Sequence, residues 1–145
     1  MKEQELYGVI VLVRRLFHEL AATVDELHVD LDITAAQRAV LESLSVEGAA
    51  TVPDLARRKK VTRQHIQILV NSLVQAGRAE LVDNPAHRRS ALVRISEQGA
   101  ELFRQVRTRE KRVLGPMAKR YGLKDLKLVV ALLGDMAGYL EESRT

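Results

Sequence analysis

Apolar and polar positions recur along this chain with two different periods, and the places where the period changes mark its elements. From Gln4 to Leu27 the residues Leu6, Ile10, Val13, Phe17, Leu20, Val24 and Leu27 alternate spacings of four and three, with Val9 and Leu16 widening the stripe. That is one face of a long helix, and so continuous a seam needs an opposing surface in this chain or on a second copy. His28 to Asp32 breaks the pattern. Thr34 then opens a second helix, with Gln37 three residues on to complete a capping box and Gly48 to end it. Its apolar face is expected to comprise Ala36, Ala39, Val40 and Leu44.

Thr51-Val52-Pro53-Asp54 opens a short third helix: Thr caps, Pro is tolerated in the first turn, and Asp complements the dipole. Leu55 and Ala56 face inward. Only a few residues later Thr62 caps a fourth helix, on which Ile66, Leu69, Val70 and Leu73 form the apolar stripe. Its opposite face carries Arg63, Gln64, Gln67 and Asn71, which gain nothing from burial. Two helices joined by so short a turn make a helix-turn-helix. Gly77 stands where a helix end favours a left-handed residue.

After Gly77 the period drops to two. Ala79 to Asp83 and Ser90 to Ile95 read as strands around a turn at Asn84 to Arg89, a hairpin that must pack on the helices before it. Ser96-Glu97 begins a fifth helix running toward Tyr121, with Leu102, Phe103, Val106, Val113, Leu114 and Met117 as its apolar set. Gly115-Pro116 predicts a kink or break there, since proline lacks the N–H and clashes with the preceding turn. A last helix from Lys124 to Glu142 carries Leu126, Val130, Leu133, Ala137 and Leu140, with Gly134 and Gly138 on one face. The expected class is mainly α with a small two- to three-stranded antiparallel wing, a winged helix-turn-helix.

Composition narrows the picture. At 145 residues, 46% hydrophobic and 29% charged, the chain suits one domain or a small domain with an attached helical layer. It has no cysteine, which excludes disulfides, thiolate metal sites and thiol redox sensing. The longest apolar runs, Val9 to Val13 and Leu128 to Leu133, are too short for a membrane span, and the acidic start MKEQEL has no apolar signal core. The expectation is a cytoplasmic protein without a membrane partner. Residues 50–95 hold nine Lys/Arg against three Asp/Glu, whereas the other residues hold fourteen against sixteen. The positive excess thus collects around the fourth helix, the footprint of a phosphate-bearing partner or of a solvated basic face. Charge alone does not choose between them.

The strings ITAAQRAVLESL, VTRQHIQILVNSLVQAG and RAELVDNPAHRRSALVRISEQG, in this order from Ile33 to Gly99, resemble the MarR family of bacterial transcriptional regulators. Three positions depart from its usual pattern: His87 replaces an acidic wing residue, Ile68 a polar or basic one, and Arg78 an apolar one. The resemblance implies a DNA-binding lobe over residues 33–99 and a helical dimerisation region built from residues 1–32 and 100–145. It implies a homodimeric repressor on a pseudo-palindromic operator, with recognition helices in successive major grooves and wings at minor grooves. Physical chemistry agrees, since Gln and Asn pair with adenine edges and Arg with guanine. Arg63, Gln64 and Gln67 are the candidates for bases, and Thr62 and Asn71 for phosphate or peripheral contacts. Arg88 and Arg89, beside His87, are the wing candidates, and Arg57, Lys59 and Lys60 the backbone-binding ones. The resemblance further implies a pocket for a small aromatic or anionic effector, which Tyr7, Arg14, Arg15, His18 and Arg38 would line.

Other chemistries fit less well. No aromatic lies between Arg57 and Arg94, so the stacking platforms of RNA recognition are missing. Nucleophile elbow, phosphate-cradling glycine loop and paired His-Glu metal motif are all absent, which predicts neither enzyme nor cofactor. His18 and His28 lie about 15 Å apart along a continuous helix, too far to share a metal. His87 at the wing would give DNA binding a pH dependence if it titrates against phosphate. A winged helix serving as a protein-interaction module with an acidic partner stays open, because fold alone does not fix function.

Overall fold

A computed structural model describes residues 1–145. The chain order is α1 (Lys2–Leu27), a 3₁₀ turn (Val29–Leu31), α2 (Ala35–Glu47), α3 (Val52–Lys59), α4 (Arg63–Gln75), β1 (Ala79–Val82), β2 (Leu92–Ile95), α5 (Glu97–Ala118) and α6 (Leu123–Glu142). The mainly helical class with an antiparallel wing is what the periodicities predict. Two compact units are present, residues 1–109 and 110–145.

The first unit is built on a core to which α2, α3, α4, both strands and α5 contribute. Val40, Leu41 and Leu44 from α2, Leu55 and Ala56 from α3, and Ile66, Val70 and Leu73 from α4 are buried together with Val93 of β2. Fully burying a side chain of this size stabilises by about 1.5–3 kcal/mol, so a handful of them outweighs any single surface contact. The apolar face of α2 differs in one detail from its periodicity: Ala36 is exposed and Ala39 half-buried, while Leu41 and Ser43 are buried. Ala36 lies in the first turn, at the edge of the buried layer. The Thr34 capping box closes as expected, with the Gln37 N–H donating to Thr34 Oγ1 (3.2 Å) and the Thr34 N–H to Gln37 Oε1 (3.0 Å).

β1 and β2 pair antiparallel in the register Ala79–Ile95, Glu80–Arg94, Leu81–Val93, Val82–Leu92. Ala50 adds a one-residue third strand: its N–H donates to Val93 O (3.1 Å) and its carbonyl accepts from the Val93 N–H (2.7 Å). β2 starts at Leu92 instead of Ser90, because the Ser90 N–H is taken by the turn, donating to His87 O (3.2 Å).

α5 runs through Gly115-Pro116 unbroken and stops at Ala118, short of Tyr121. Residues 111–120 are exposed, so water can satisfy the carbonyl that Pro116 leaves without its helical donor, and the helix continues past the proline. Within the second unit α6 buries no residue and exposes Leu128, Val130, Leu132 and Leu140. In the first unit α1 likewise buries none, leaving Leu6, Leu12, Leu16, Phe17 and Leu20 exposed.

Candidate nucleic-acid interface

The geometry of the candidate face begins with the cap of α3. Thr51 Oγ1 accepts from the Asp54 N–H (3.2 Å) and Asp54 Oδ2 accepts from the Thr51 N–H (3.3 Å). Those bonds from Thr51, aided by Arg57 and Arg58, hold the Asp54 carboxyl below the usual carboxylate range. α3 ends at Lys60, a left-handed residue (φ 56°, ψ 43°) that reverses the chain within two residues of the next cap. Thr62 Oγ1 then accepts from the His65 N–H (3.1 Å) and α4 begins.

Ile66, Val70 and Leu73 turn one side of α4 into the core. The other side presents Arg63, Gln64, Gln67, Ile68 and Asn71, all exposed. Gln67 Nε2 donates to Asn71 Oδ1 (2.8 Å), so these two amides form one unit along the helix surface. The helix is therefore gripped from behind and open in front.

The wing is fixed to the end of α4 by a dense set of backbone bonds. The Arg78 N–H donates to Leu73 O (2.8 Å) and the Gly77 N–H to Val74 O (3.0 Å), a Schellman close around left-handed Gly77 (φ 76°). Ser96 Oγ donates to Gly77 O (2.6 Å) and accepts from the Gly99 N–H (3.0 Å), while the Ser96 N–H donates to Arg78 O (3.1 Å). Gly99 is buried against this junction: a Cβ there would lie 1.9 Å from Arg78 O. The end of α4, the wing base and the start of α5 meet at one point.

At the wing tip Asn84 Oδ1 accepts from the Ala86 N–H (3.1 Å) and Asn84 O from the His87 N–H (3.1 Å), which projects His87, Arg88 and Arg89 into solvent. Arg63, Arg88 and Arg89 make no hydrogen bond or ion pair within the chain. Neighbouring cations are neutralised: Arg94 pairs with Glu80 (3.3 Å), Arg58 with Glu47 (3.2 Å), and Arg57 with Asp54. Within residues 50–95 the arginines with neither a hydrogen bond nor an ion pair thus sit at the start of α4 and at the wing tip. Of the other backbone candidates, Lys59 is half-buried and Lys60 is exposed at the turn.

The expected effector residues separate. Tyr7, Arg14, Arg15 and His18 are exposed on α1, where His18 meets Phe17 edge-on at 5.7 Å. Arg38 is committed inside the first unit, paired with Glu42 and seated 5.7 Å over the Phe103 ring. Arg78, which departs from the family pattern, and Arg109, which the sequence pattern did not single out, grip the segment between α1 and α2. The Arg78 guanidinium donates to Leu31 O and Asp32 O (both 2.6 Å), and Arg109 donates to both Asp30 oxygens (2.6 and 2.9 Å) and to Leu27 O (3.1 Å). The Arg109 hydrogen bond lowers the Asp30 carboxyl below its ordinary value and raises Arg109. His28, in the same segment, is fully buried.

Helix, turn, exposed helix and antiparallel wing define a winged helix-turn-helix protein. Comparison with known proteins agrees. Residues 31–90 match the model of the MarR family. The chain is 44% identical over 69 residues to an uncharacterized protein of Mycobacterium tuberculosis, 48% of each chain, and 33% identical over 75 residues to an HTH-type transcriptional regulator of that organism, 52% of each. The matched stretch thus spans about half the length of these curated relatives.

Over the whole chain the fold is shared with a MarR family transcription regulator (TM-score 0.85, 24% identity, 97% of this chain and 93% of that one). It is shared too with an Escherichia coli MarR mutant solved with operator DNA (TM-score 0.80, 23% identity, 91% and 95%). Bordetella bronchiseptica BpsR, described as regulated in DNA binding by 6-hydroxynicotinic acid, gives a TM-score of 0.76 at 22% identity over 89% and 92%. The MarR family model thus covers the helix-turn-helix and the first strand of the wing, and the chain as a whole has the fold of solved MarR family transcription regulators. No helix is long and apolar enough to cross a membrane.

Proposed function

We propose that this protein is a sequence-specific regulator of transcription that binds duplex DNA as a homodimer, α4 lying in the major groove and the wing at the adjacent minor groove. One observation carries the reading: α4 buries Ile66, Val70 and Leu73 and exposes Arg63, Gln64 and Gln67, while within residues 50–95 the arginines left without an ion pair or hydrogen bond are Arg63 on that helix and Arg88 and Arg89 at the wing tip. Amide and guanidinium side chains on an exposed helix match the donor and acceptor pattern of base edges in a groove that admits a helix. Arginines at a wing tip match the negative potential of a narrow minor groove. His87 stands beside them as a wing contact, and Thr62, Asn71, Arg57, Lys59 and Lys60 flank the reading residues as backbone contacts.

Surface chemistry supports the homodimer. Exposed Leu and Phe residues run along α1 (Phe17 at 68%) and exposed Leu and Val along α6 (Val130 at 73%), more apolar surface than a solitary subunit leaves to water. Repression of the bound promoter, and release by a small aromatic or anionic compound held near Tyr7, Arg14, Arg15, His18 and Arg38, complete the proposal. The operator-bound and 6-hydroxynicotinic acid-regulated proteins of the same fold support those two parts.

Selection of duplexes from a random pool, followed by gel-shift titration, tests the reading. A two-fold symmetric consensus with half-sites about one helical turn apart is expected. Failure to enrich any duplex, or a salt-independent affinity, would leave the winged helix as a protein-interaction module.

A further inference from the structure

Ile68 is 62% exposed on α4, a large β-branched hydrocarbon on the same open face as Gln64, Gln67 and Asn71. It lies four residues after Gln64 and three before Asn71, so these side chains are neighbours on one helix surface. The apolar stripe of α4 is already complete without it, since Ile66, Val70 and Leu73 fill the core. Helical isoleucine holds essentially one χ1 rotamer, which sets its methyl groups at a fixed place before any partner arrives. Beside it the Gln67–Asn71 amide pair is ordered by its own hydrogen bond and keeps a free acceptor and free N–H groups.

Resting on the DNA-binding reading above, we infer that Ile68 is a specificity residue that recognises the C5-methyl group of a thymine in the major groove, next to a base pair read by Gln64 or Gln67. The methyl is the one apolar feature a base edge presents in that groove, and glutamine pairs with the adenine edge. An amide and a branched hydrocarbon on adjacent positions therefore suit neighbouring A·T pairs. A partner protein would instead require a broader apolar patch, whereas the exposed neighbours Arg63, Gln64, Gln67 and Asn71 are all polar.

The test uses the full chain and the duplex it selects from a random pool. Each thymine in one half-site is replaced in turn by deoxyuridine, which removes only the methyl. One position is expected to lower wild-type affinity about fourfold, the loss for one buried methyl group. Ile68→Ala should show no loss at that position, and Ile68→Val should retain most of it; unchanged thermal unfolding of both variants excludes a folding effect. If no deoxyuridine matters to the wild type, or if the same loss persists in Ile68→Ala, the inference is overturned while the DNA-binding reading stands. If no duplex is enriched at all, that reading fails first and takes the inference with it.

Discussion

Two arginines of the same wing make opposite predictions, although each substitution removes one positive charge. Arg89 is exposed at the tip and engages nothing in the chain, whereas Arg94 is paired with Glu80 across the strands at 3.3 Å. A cation that meets DNA displaces condensed counterions, contributing about −0.9 to the slope of log affinity against log salt for each phosphate neutralised. A homodimer carries two copies of Arg89, so Arg89→Ala should make the slope shallower by about 1.8. Between roughly 50 and 200 mM salt this amounts to about a twelvefold smaller loss of affinity in the variant. Arg94→Ala should leave the slope unchanged, because its guanidinium serves Glu80. Neither should move thermal unfolding much, since exposed ion pairs contribute about 0–1 kcal/mol. Fluorescence anisotropy on the selected operator across a salt series reads both slopes. Equal changes in the two variants would show that the wing acts only through net charge, and no change in Arg89→Ala would remove the wing from the interface.

The remaining predictions concern what holds the face in place. Gly99→Ala should destabilise by about 3 kcal/mol, because its Cβ would lie 1.9 Å from a backbone oxygen that cannot yield without breaking the Ser96 bonds; a melting temperature within a degree of wild type would contradict the junction. Thr62→Ala removes the oxygen that accepts the His65 N–H and should cost about 1 kcal/mol in denaturant unfolding, with Thr62→Asn restoring most of it. Asp30, lowered from 3.8 by Arg109, contributes stability that is present above that value and lost as pH falls through the folded-state value. An NMR titration of the Asp30 carboxyl should therefore give a midpoint below 3.8 that Arg109→Gln returns toward it.

What could be read from the sequence was what is decided within a few residues. The Thr34, Thr51 and Thr62 caps and left-handed Gly77 are local events, and each formed where its residues stand. So did the stripe of α4, since burial follows the helical period. Pro116 was misjudged because its cost depends on whether water reaches the freed carbonyl, which spacing does not say. The contacts of Arg78 and Arg109 join residues 46 to 82 positions apart, and no periodicity encodes such a meeting. The seat of Arg38 over Phe103 was hidden for the same reason: the ring comes from a distant helix. Among the candidate DNA contacts, the sequence supplied a list of cations, and ion pairing then divided that list into engaged and disengaged members.

The double grip of Arg78 and Arg109 on the carbonyls and carboxylate of residues 27–32 has a mechanical consequence. A hinge made of so short a stretch would ordinarily swivel, and a torque on the end of α1 would be dissipated there. With Arg78 adjoining the glycine that closes α4, these bonds instead tie the stretch to the root of the wing.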